Sequence, residues 1–326
     1  MKNILITGGA GYIGSHMCKE LVLNKYNPVI IDNFIDGHEK EIKYGTFIYC
    51  SIENKTLLQK IFSEYKIDAV LHFAGLICVK DSTINPIKYY NNNVNGTINL
   101  LESMINNNIN KFVFSSSCAI YGNPIELPIV ETHPKNPISP YGRTKLIIEQ
   151  ILEDFKQAYG LKYTSLRYFN VSGADIDIEL GEDHFPETHL IPLAIEAAFD
   201  NNKTINIFGN DYNTKDGTCV RDYIHVNDLV KAHILAMEKL LDGDNGDKYN
   251  LGNGNGYSVK EIIEVIQNIT NKKVKSKIIN RRSCDSEILI SSNKKAFKEF
   301  GWLPKYDLDT IIGTSVEWYK KTLRIQ

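Results

Sequence analysis

Apolar and polar residues alternate along the first half of the chain in the manner of strands joined to amphipathic helices. Residues 3–7 are an apolar run of strand length, and residues 15–24, beyond a glycine-rich turn, carry apolar side chains at helical spacing. The alternation continues to about residue 170 and predicts an α/β fold with a parallel, doubly wound sheet. Further strands are predicted at residues 28–31, 46–50, 69–73, 112–115 and 163–168, and further helices at residues 54–65, 86–107 and 141–159.

Beyond residue 172 the pattern loosens into loops rich in glycine, aspartate and asparagine. We therefore expect a first domain at residues 1–172 and a smaller C-terminal α/β domain for the substrate at residues 173–326. Segments such as residues 221–241 are expected to pack back on the first domain. Shorter helices are predicted at residues 190–200, 226–241, 259–269 and 308–319.

Composition and charge narrow the range of partners. The chain has 326 residues and a formal net charge of -2, which gives no sign of a surface for nucleic acid or for an anionic membrane. No apolar run approaches the roughly 18 residues of a membrane span, and no signal peptide is recognised. The six cysteines lack Cys-x-x-Cys spacing, so reduced thiols, a cytoplasmic location and no metal site are expected.

The glycine-rich turn predicts a dinucleotide site. Gly8, Gly11 and Gly14 follow the first strand and open a helix, where they would allow a pyrophosphate to approach the positive helix end. The second strand ends in Asp32, an acidic residue placed to accept hydrogen bonds from the adenosine ribose. A carboxylate there would repel the 2'-phosphate of NADP, so NAD is the predicted cofactor of this Rossmann-type domain.

Tyr141 and Lys145 indicate hydride chemistry at an alcohol carbon. Residues four apart share one face of a helix, so the lysine, desolvated and aided by a positively charged nicotinamide ring, is expected to hold the tyrosine phenol partly ionised as a base. A Tyr-x-x-x-Lys pair alone is more often two amphipathic residues on a solvated helix face. Ser117, at the end of a predicted strand, and the glycine-rich turn together favour the catalytic interpretation.

With these motifs, the chain resembles the extended short-chain dehydrogenase/reductase family over essentially its whole length. The resemblance implies tightly held NAD and interconversion of UDP-glucose with UDP-galactose through a 4-keto sugar. It also implies a homodimer formed through the helices at residues 86–107 and 141–159. The segments that carry the resemblance are Thr-Gly-Gly-Ala-Gly-Tyr-Ile-Gly-Ser-His at residues 7–16, His-Phe-Ala-Gly at 72–75, Asn-Asn-Val-Asn-Gly-Thr at 92–97, Ser-Ser-Ser at 115–117, Leu-Arg-Tyr-Phe-Asn at 166–170, Ile-Phe-Gly-Asn-Asp-Tyr at 207–212 and Val-Arg-Asp-Tyr-Ile-His-Val at 220–226.

The resemblance implies a role for each site residue. Ser117 would hydrogen-bond the reacting oxygen, Tyr141 would remove its proton, and Lys145 would tune Tyr141 and bind the nicotinamide ribose. The implied NAD-binding residues are Gly8, Gly11, Tyr12, Ile13, Gly14, Asp32, Asn33, Ser51, Ile52, Phe73, Ala74, Gly75, Asn92, Ser115, Tyr141, Lys145 and Tyr168. The implied UDP-hexose-binding residues are Ser117, Tyr141, Asn170, His189, Leu190, Asn206, Phe208, Arg221, Tyr223, Arg282, Asp285 and Leu289.

Three positions depart from the family pattern or vary within it. Ile77 replaces a lysine that contacts the nicotinamide ribose, and Ser51 replaces an aspartate that recognises adenine, so NAD is expected to be held less tightly. Leu289 aligns with the residue that walls the pocket beside the 2-substituent of the sugar. A leucine offers an acetamido group no polar partner, so N-acetylated substrates are expected to be poor.

Proteins with the same fold can have other activities. A 4,6-dehydratase needs an Asp-Glu pair where this chain has Cys118 and Ala119, and neither can eliminate a 6-hydroxyl. A reductase that releases its cofactor and a non-catalytic NAD-binding protein remain as alternatives. The apolar residues expected to support the homodimer are Ile98, Leu101, Ile147, Ile151 and Phe155.

Overall fold

A computed structural model describes residues 1–282 and 285–323 of the chain. Its strands are β1 (Asn3–Thr7), β2 (Asn27–Asp32), β3 (Thr46–Tyr49), β4 (Ile67–His72), β5 (Lys111–Ser117), β6 (Lys162–Tyr168), β7 (Asn170–Ser172), β8 (Ile205–Phe208), β9 (Val220–His225), β10 (Lys248–Leu251), β11 (Gly256–Ser258), β12 (Ser276–Ile279) and β13 (Ile288–Leu289). Its α-helices are α1 (Tyr12–Leu23), α2 (Lys55–Glu64), α3 (Val79–Ile84), α4 (Pro86–Tyr89), α5 (Gly96–Asn106), α6 (Pro140–Tyr159), α7 (Leu190–Phe199), α8 (Val226–Leu241), α9 (Val259–Thr270), α10 (Lys294–Phe300) and α11 (Leu308–Leu323).

Seven strands form the principal sheet in the order β10-β6-β5-β4-β1-β2-β3. The pairs β1–β2, β1–β4, β2–β3 and β4–β5 are parallel, which confirms the predicted doubly wound sheet. Thr7 is in register with Ile31 of β2 and with His72 of β4. The carboxyl ends of these strands therefore lie at one edge, where ligands bind in folds of this class.

The described residues divide into two compact units. The first unit contains residues 1–122, 135–167 and 230–249, and the second contains the other described residues. The domain boundary expected after residue 172 and the return of residues 221–241 stay predictions. None of the described helices is both long and apolar enough to cross a membrane.

Each unit has its own apolar core. In the first, Leu5, Phe112 and Leu152 are fully buried between the sheet and its helices. In the second, Ile195, Ile266 and Ile312 bring together α7, α9 and α11. Burial of such side chains stabilises a fold by about 1.5–3 kcal/mol for each residue, before entropy is counted.

The helix predicted at residues 86–107 is built differently from the expectation. It consists of α4, a π-helical turn at Tyr90–Asn95 and α5. A π-turn inserts an extra residue into a helix and is frequent at functional sites. Here the turn contains Asn92 and Asn93, and Asn93 is buried.

The second unit is organised around β9. This strand pairs with β11 in the antiparallel direction and with β7 and β13 in the parallel direction. Asp222 of β9 is fully buried and accepts hydrogen bonds from the backbone N–H groups of Asn253, Gly254 and Ser291. This carboxylate therefore fixes the loops beside the strand that carries the candidate substrate residues. A separate two-stranded sheet pairs β8 with β12.

Candidate functional site

The glycine turn after β1 has the close backbone approach that the sequence predicts. Gly8 has a φ of +73°, and a Cβ on Gly14 would lie 2.1 Å from the Gly8 carbonyl oxygen. Gly11 precedes α1 and has no side chain with which to cap the helix. Tyr12 and Ile13 form the first turn of α1, so the positive end of this helix is shaped for a pyrophosphate.

Asp32 fastens the glycine turn to the end of β2. Its carboxylate accepts hydrogen bonds from the N–H of Ala10 at 3.0 Å and of Phe34 at 2.8 Å. Burial raises the pKa of Asp32, and these backbone N–H groups oppose that rise. A carboxylate has about four acceptor sites, so two ribose hydroxyls can still bind. Asn33 follows directly and accepts a hydrogen bond from the N–H of Ile35.

Five of the other predicted NAD-binding residues follow strand ends. Ser51 and Ile52 lie just beyond β3, and Phe73, Ala74 and Gly75 follow β4. The N–H groups of Phe73 and Ala74 both donate to the Thr7 carbonyl, each at 3.0 Å. Asn92 lies in the π-turn, Ser115 lies in β5, and Tyr168 ends β6.

The helix with the candidate base starts at a well-defined cap. Ser139 accepts a hydrogen bond from the N–H of Gly142, and Pro140 is the first helical residue. The N–H of Tyr141 donates to Ser82 Oγ at 3.2 Å. Four residues later, Lys145 is buried and its Nζ donates to the Ser115 carbonyl at 2.8 Å.

Ser117, Tyr141 and Lys145 come together at the end of β5. The Ser117 hydroxyl accepts a hydrogen bond from the N–H of Ala119 at 3.2 Å and acts on the Tyr141 phenol to lower its pKa. Lys145 Nζ lies 5.8 Å from the centre of the Tyr141 ring. A hydroxyl, a phenol and an ammonium thus share one corner of the first unit, where Ser117 and Lys145 are buried and Tyr141 is partly exposed.

The surroundings of Tyr141 within the protein favour the neutral phenol. Burial raises the pKa of Tyr141 to about 12, and the neighbouring Ser117 hydroxyl opposes that rise. Burial also lowers the pKa of Lys145 to about 8. Desolvation dominates both groups, so the predicted ionisation of the phenol needs a further positive charge, the part expected of the nicotinamide ring.

A chain of buried hydrogen bonds connects the glycine turn to the π-turn. His72 Nδ1 lies 2.6 Å from Thr7 Oγ1, and His72 Nε2 lies 2.9 Å from Thr97 Oγ1. The Thr97 hydroxyl donates to the Asn93 carbonyl, so it must accept from Nε2–H, which fixes the tautomer. Burial, reinforced by the charge of Lys145, lowers the pKa of His72 to about 3 and keeps the ring neutral.

Asn93 extends this chain to α6. Its side chain accepts from the N–H of Leu76 at 2.8 Å and donates to Thr144 Oγ1 at 3.2 Å. The Thr144 hydroxyl donates in turn to the Tyr141 carbonyl at 2.7 Å. The sequence motif contains Asn93 but gives no sign of this role, because only the π-turn directs its amide inward.

A second buried contact holds α6 against β5 and β6. Arg167 binds Glu149 through Nε at 2.9 Å and Nη2 at 2.6 Å, and both side chains are almost completely buried. Ser116, next to Ser117, donates to the same carboxylate at 2.7 Å. Charged residues inside otherwise apolar elements are a sequence signal for such a pair.

In the second unit, two arginines share one carboxylate. Arg282 Nε lies 2.7 Å from Asp285 Oδ2, and Arg221 Nη2 lies 3.8 Å from Asp285 Oδ1. The guanidinium of Arg282 also stacks 4.3 Å above the Phe208 ring. The trio carries a net positive charge and suits a diphosphate, for which guanidinium groups have matching geometry.

Strand register aligns several other predicted substrate residues in the second unit. Leu289 of β13 is paired with Arg221 of β9, and Asn170 of β7 is paired with Tyr223 of β9. Tyr223 is buried, and burial raises its pKa. Asn206 and Phe208 lie on β8, with Asn206 exposed.

His189 and Leu190 stand at the start of α7. Burial lowers the pKa of His189, but the carboxylates of Glu182 and Glu187 outweigh it and raise the pKa well above its usual value. His184 beside it behaves alike, since burial is outweighed by hydrogen bonds to the same glutamates and its pKa rises to about 9. A cation at the positive end of a helix suits an anion, as the sequence predicts for His189.

The first unit fits NAD on its own geometry. At Gly11 a Cβ would meet only the Gly8 carbonyl oxygen, at 3.4 Å, among described residues beyond its helix and chain neighbours. At Gly75 a Cβ would lie 3.5 Å from Asn93 Oδ1 and 3.6 Å from Lys145 Nζ, so this glycine lies directly beside the lysine. Gly11 thus leaves space beside the helix end, and Gly75 leaves space beside Lys145. Ile77, in the place of the expected lysine, is 40% exposed.

Comparisons with known proteins agree with this arrangement. Residues 4–252 match the model of the NAD dependent epimerase/dehydratase family. A UDP-glucose 4-epimerase from Rhizobium leguminosarum bv. trifolii is 46% identical over 321 residues, covering 98% of each chain. The crystal structure of UDP-glucose 4-epimerase from Brucella ovis in complex with NAD has a TM-score of 0.94 and 46% identity, covering 97% of this chain and 98% of that one. The epimerase from Bifidobacterium longum, in complex with NAD+ and UDP, has a TM-score of 0.95 and 37% identity over the whole of both chains.

Proposed function

The chain belongs to the NAD dependent epimerase/dehydratase family, and we propose that it interconverts UDP-glucose and UDP-galactose with a bound NAD. The observation that carries the proposal is the group of Ser117, Tyr141 and Lys145 at the end of β5. The named relatives are UDP-glucose 4-epimerases at up to 46% identity over nearly the full chain, which makes the same activity the expected one here.

The first unit would carry out the proton chemistry at the sugar 4-hydroxyl. Bound NAD supplies the hydride acceptor and donor for C4 and a positive charge that lowers the pKa of the phenol. Tyr141 then accepts the 4-hydroxyl proton and returns it after the 4-keto sugar has turned its other face. Ser117 would hold the reacting oxygen, and Lys145 would bind the nicotinamide ribose while stabilising the phenolate.

The second unit would bind the part of the substrate that does not react. Arg221 and Arg282 are proposed to bind the diphosphate, which would compete with Asp285 for their guanidinium groups. Asp285 would then accept hydrogen bonds from the uridine ribose. The remaining proposed contacts to the nucleotide sugar are Asn170, His189, Leu190, Asn206, Phe208, Tyr223 and Leu289.

The residues beside Ser117 favour epimerisation over dehydration. Cys118 and Ala119 stand in a 3-10 turn directly after β5. An alanine has no proton to exchange, and Cys118 is buried in this turn. A site with these two residues lacks the acid and base that would eliminate water from the sugar.

We further propose that the protein is a cytoplasmic homodimer. The five described cysteines are free, as expected in a reducing compartment, while Cys284 lies outside the described residues. Of the residues predicted for the interface, Leu101 is completely buried in the first core, so its proposed part in the dimer is wrong. Ile98, Ile147, Ile151 and Phe155 are only partly buried and remain candidates.

The proposal is tested with the purified full chain. Denatured protein should release close to one NAD per chain, and the native protein should bring UDP-glucose or UDP-galactose to the same equilibrium mixture without added cofactor. Labelled NAD in the medium should not enter the protein during turnover. Net consumption of added NADH with release of NAD would instead identify a reductase, and tight NAD binding without turnover would identify a non-catalytic protein.

A further inference from the structure

The segment before α7 contains two copies of the pattern Glu-x-His, five residues apart. They are Glu182 with His184 and Glu187 with His189. One ligand atom from each of these four side chains lies within 4.8 Å of the other three. The sequence predicts no metal site, because that prediction is based on the spacing of the cysteines.

Four separations between nitrogen and oxygen atoms of this cluster lie on either side of the value for a tetrahedral metal site. His189 Nδ1 lies 2.9 Å from an oxygen of Glu182 and 2.9 Å from an oxygen of Glu187. His184 Nδ1 lies 3.4 Å and 3.8 Å from the same two carboxylates. A zinc ion with bonds of about 2.0–2.2 Å would place its ligand atoms roughly 3.3–3.6 Å apart, in the middle of this range.

The side chains are held in place before any ion binds. Three of them are largely buried, with side-chain exposures of 8% for Glu182, 15% for His184 and 18% for Glu187. The backbone carbonyl of Glu182 accepts a hydrogen bond from the Trp318 indole at 3.0 Å. Glu187 also accepts the N–H groups of Thr188 and His189, at 2.6 Å and 2.8 Å. Such preorganisation reduces the entropy lost when a metal binds.

We propose that Glu182, His184, Glu187 and His189 bind one Zn²⁺ ion in a structural site that fixes the segment entering α7. Two imidazole nitrogens and two carboxylate oxygens are donors that suit zinc. Four protein ligands would complete a tetrahedral shell. The ion would take no part in the proposed proton transfer, which uses residues of the first unit, but it would hold His189 as a neutral ligand in place of its proposed contact to the nucleotide sugar.

The test measures zinc on the untagged full chain after dialysis against a chelator. Titration with Zn²⁺ should give one equivalent bound with a dissociation constant in the micromolar range or below. Substitution of Co²⁺ for zinc should give the visible absorption of a tetrahedral site, a readout that needs no variant. Zinc should also raise the melting temperature of the wild type by mass action.

Variants assign the site to these residues. Glu182→Gln and His184→Asn should each weaken zinc binding at least tenfold and remove most of the thermal shift. Asp183→Asn changes a carboxylate of the same segment outside the cluster, so its zinc binding should equal that of the wild type.

Two results would overturn the proposal. One is wild-type protein that takes up no zinc at a free concentration of tens of micromolar and gives no tetrahedral cobalt spectrum. That outcome would identify the cluster as a set of ion pairs between protonated histidines and carboxylates. The other is a folded His184→Asn variant that binds zinc as tightly as the wild type. Neither result would alter the test of epimerase activity, which can be read separately from NAD content and turnover.

Discussion

The two units of the molecule hold their candidate ligand-binding groups by opposite means. In the first, the ammonium of Lys145 is buried and bonded to a backbone carbonyl, and its neighbours Ser117 and Tyr141 are neutral. In the second, Arg221 and Arg282 are bonded to a carboxylate, and the Arg282 side chain is 48% exposed. The first site is fixed by hydrogen bonds to backbone groups, and the second by ion pairs that can change partners.

This difference agrees with the two tasks proposed for the units. Proton transfer requires atoms held near reactive distance, so rigid burial favours it. Binding of a diphosphate requires charge that becomes available when the ligand arrives, so an internal carboxylate is a suitable temporary partner. A mutation in the first unit should therefore change kcat, whereas one among the arginines should mainly change KM.

The largest effect is expected from Tyr141→Phe, which removes the proton acceptor and keeps the ring. Loss of a general base lowers rates by about 10² to 10⁴, so kcat should fall by that amount with an unchanged circular dichroism spectrum. Tyr159→Phe removes a hydroxyl from an exposed position on the same helix and serves as the control. Full activity in folded Tyr141→Phe would rule out this residue as the base.

Arg221→Gln tests the proposed role of the second unit in substrate binding. Hydrogen bonds to charged groups are worth about 1.5–3 kcal/mol, so KM for UDP-galactose should rise about 10- to 100-fold. The value of kcat should change much less. Arg281→Gln is the matched control, since Arg281 is bonded to Asp211 instead of Asp285. A fall in kcat with constant KM would contradict the assignment of Arg221 to substrate binding.

Leu289→Cys tests the specificity proposed for the second unit. The wild type should turn over UDP-galactose at least tenfold better than UDP-N-acetylgalactosamine, since one mismatched contact is worth about 1–3 kcal/mol. The smaller cysteine should raise kcat/KM for the acetylated substrate and leave UDP-galactose nearly unchanged. Equal kcat/KM values in the wild type would mean that a different residue forms the pocket wall.

The smallest expected effect is on the pH dependence of stability through His72. Its folded pKa is about 3 against an ordinary 6.5, so the unfolded chain binds more protons between these values. The contribution of His72 to the free energy of unfolding should therefore be fully present above pH 6.5 and should be lost as the pH falls towards 3. His72→Gln should flatten this part of the profile in urea unfolding, with His38→Gln as the control. Parallel profiles for His72→Gln and the wild type would show that the ring is not held neutral.

Sequence and structure agree most closely where backbone geometry is demanding. The roles of Gly8 and Gly14 can be predicted because few other residues could occupy those positions. The pairing of Tyr141 with Lys145 can be predicted because helical spacing places both on one face. Asn93, Glu149 and Arg167 are not assigned roles from the sequence. Their partners are distant along the chain. The orientation of the Asn93 side chain also depends on a π-turn, which no residue pattern predicts. Likewise, the raised pKa of Tyr141 follows from burial, which spacing alone does not reveal.

In the proposed mechanism, Tyr141 and its neighbours move a proton while the hydrogen at C4 is transferred as hydride and does not exchange with water. Turnover of UDP-glucose deuterated at C4, in ordinary water, tests this transfer, with the product examined by mass spectrometry and NMR. We expect UDP-galactose that retains the deuterium at C4. Replacement of that deuterium by hydrogen from the solvent would rule out the mechanism.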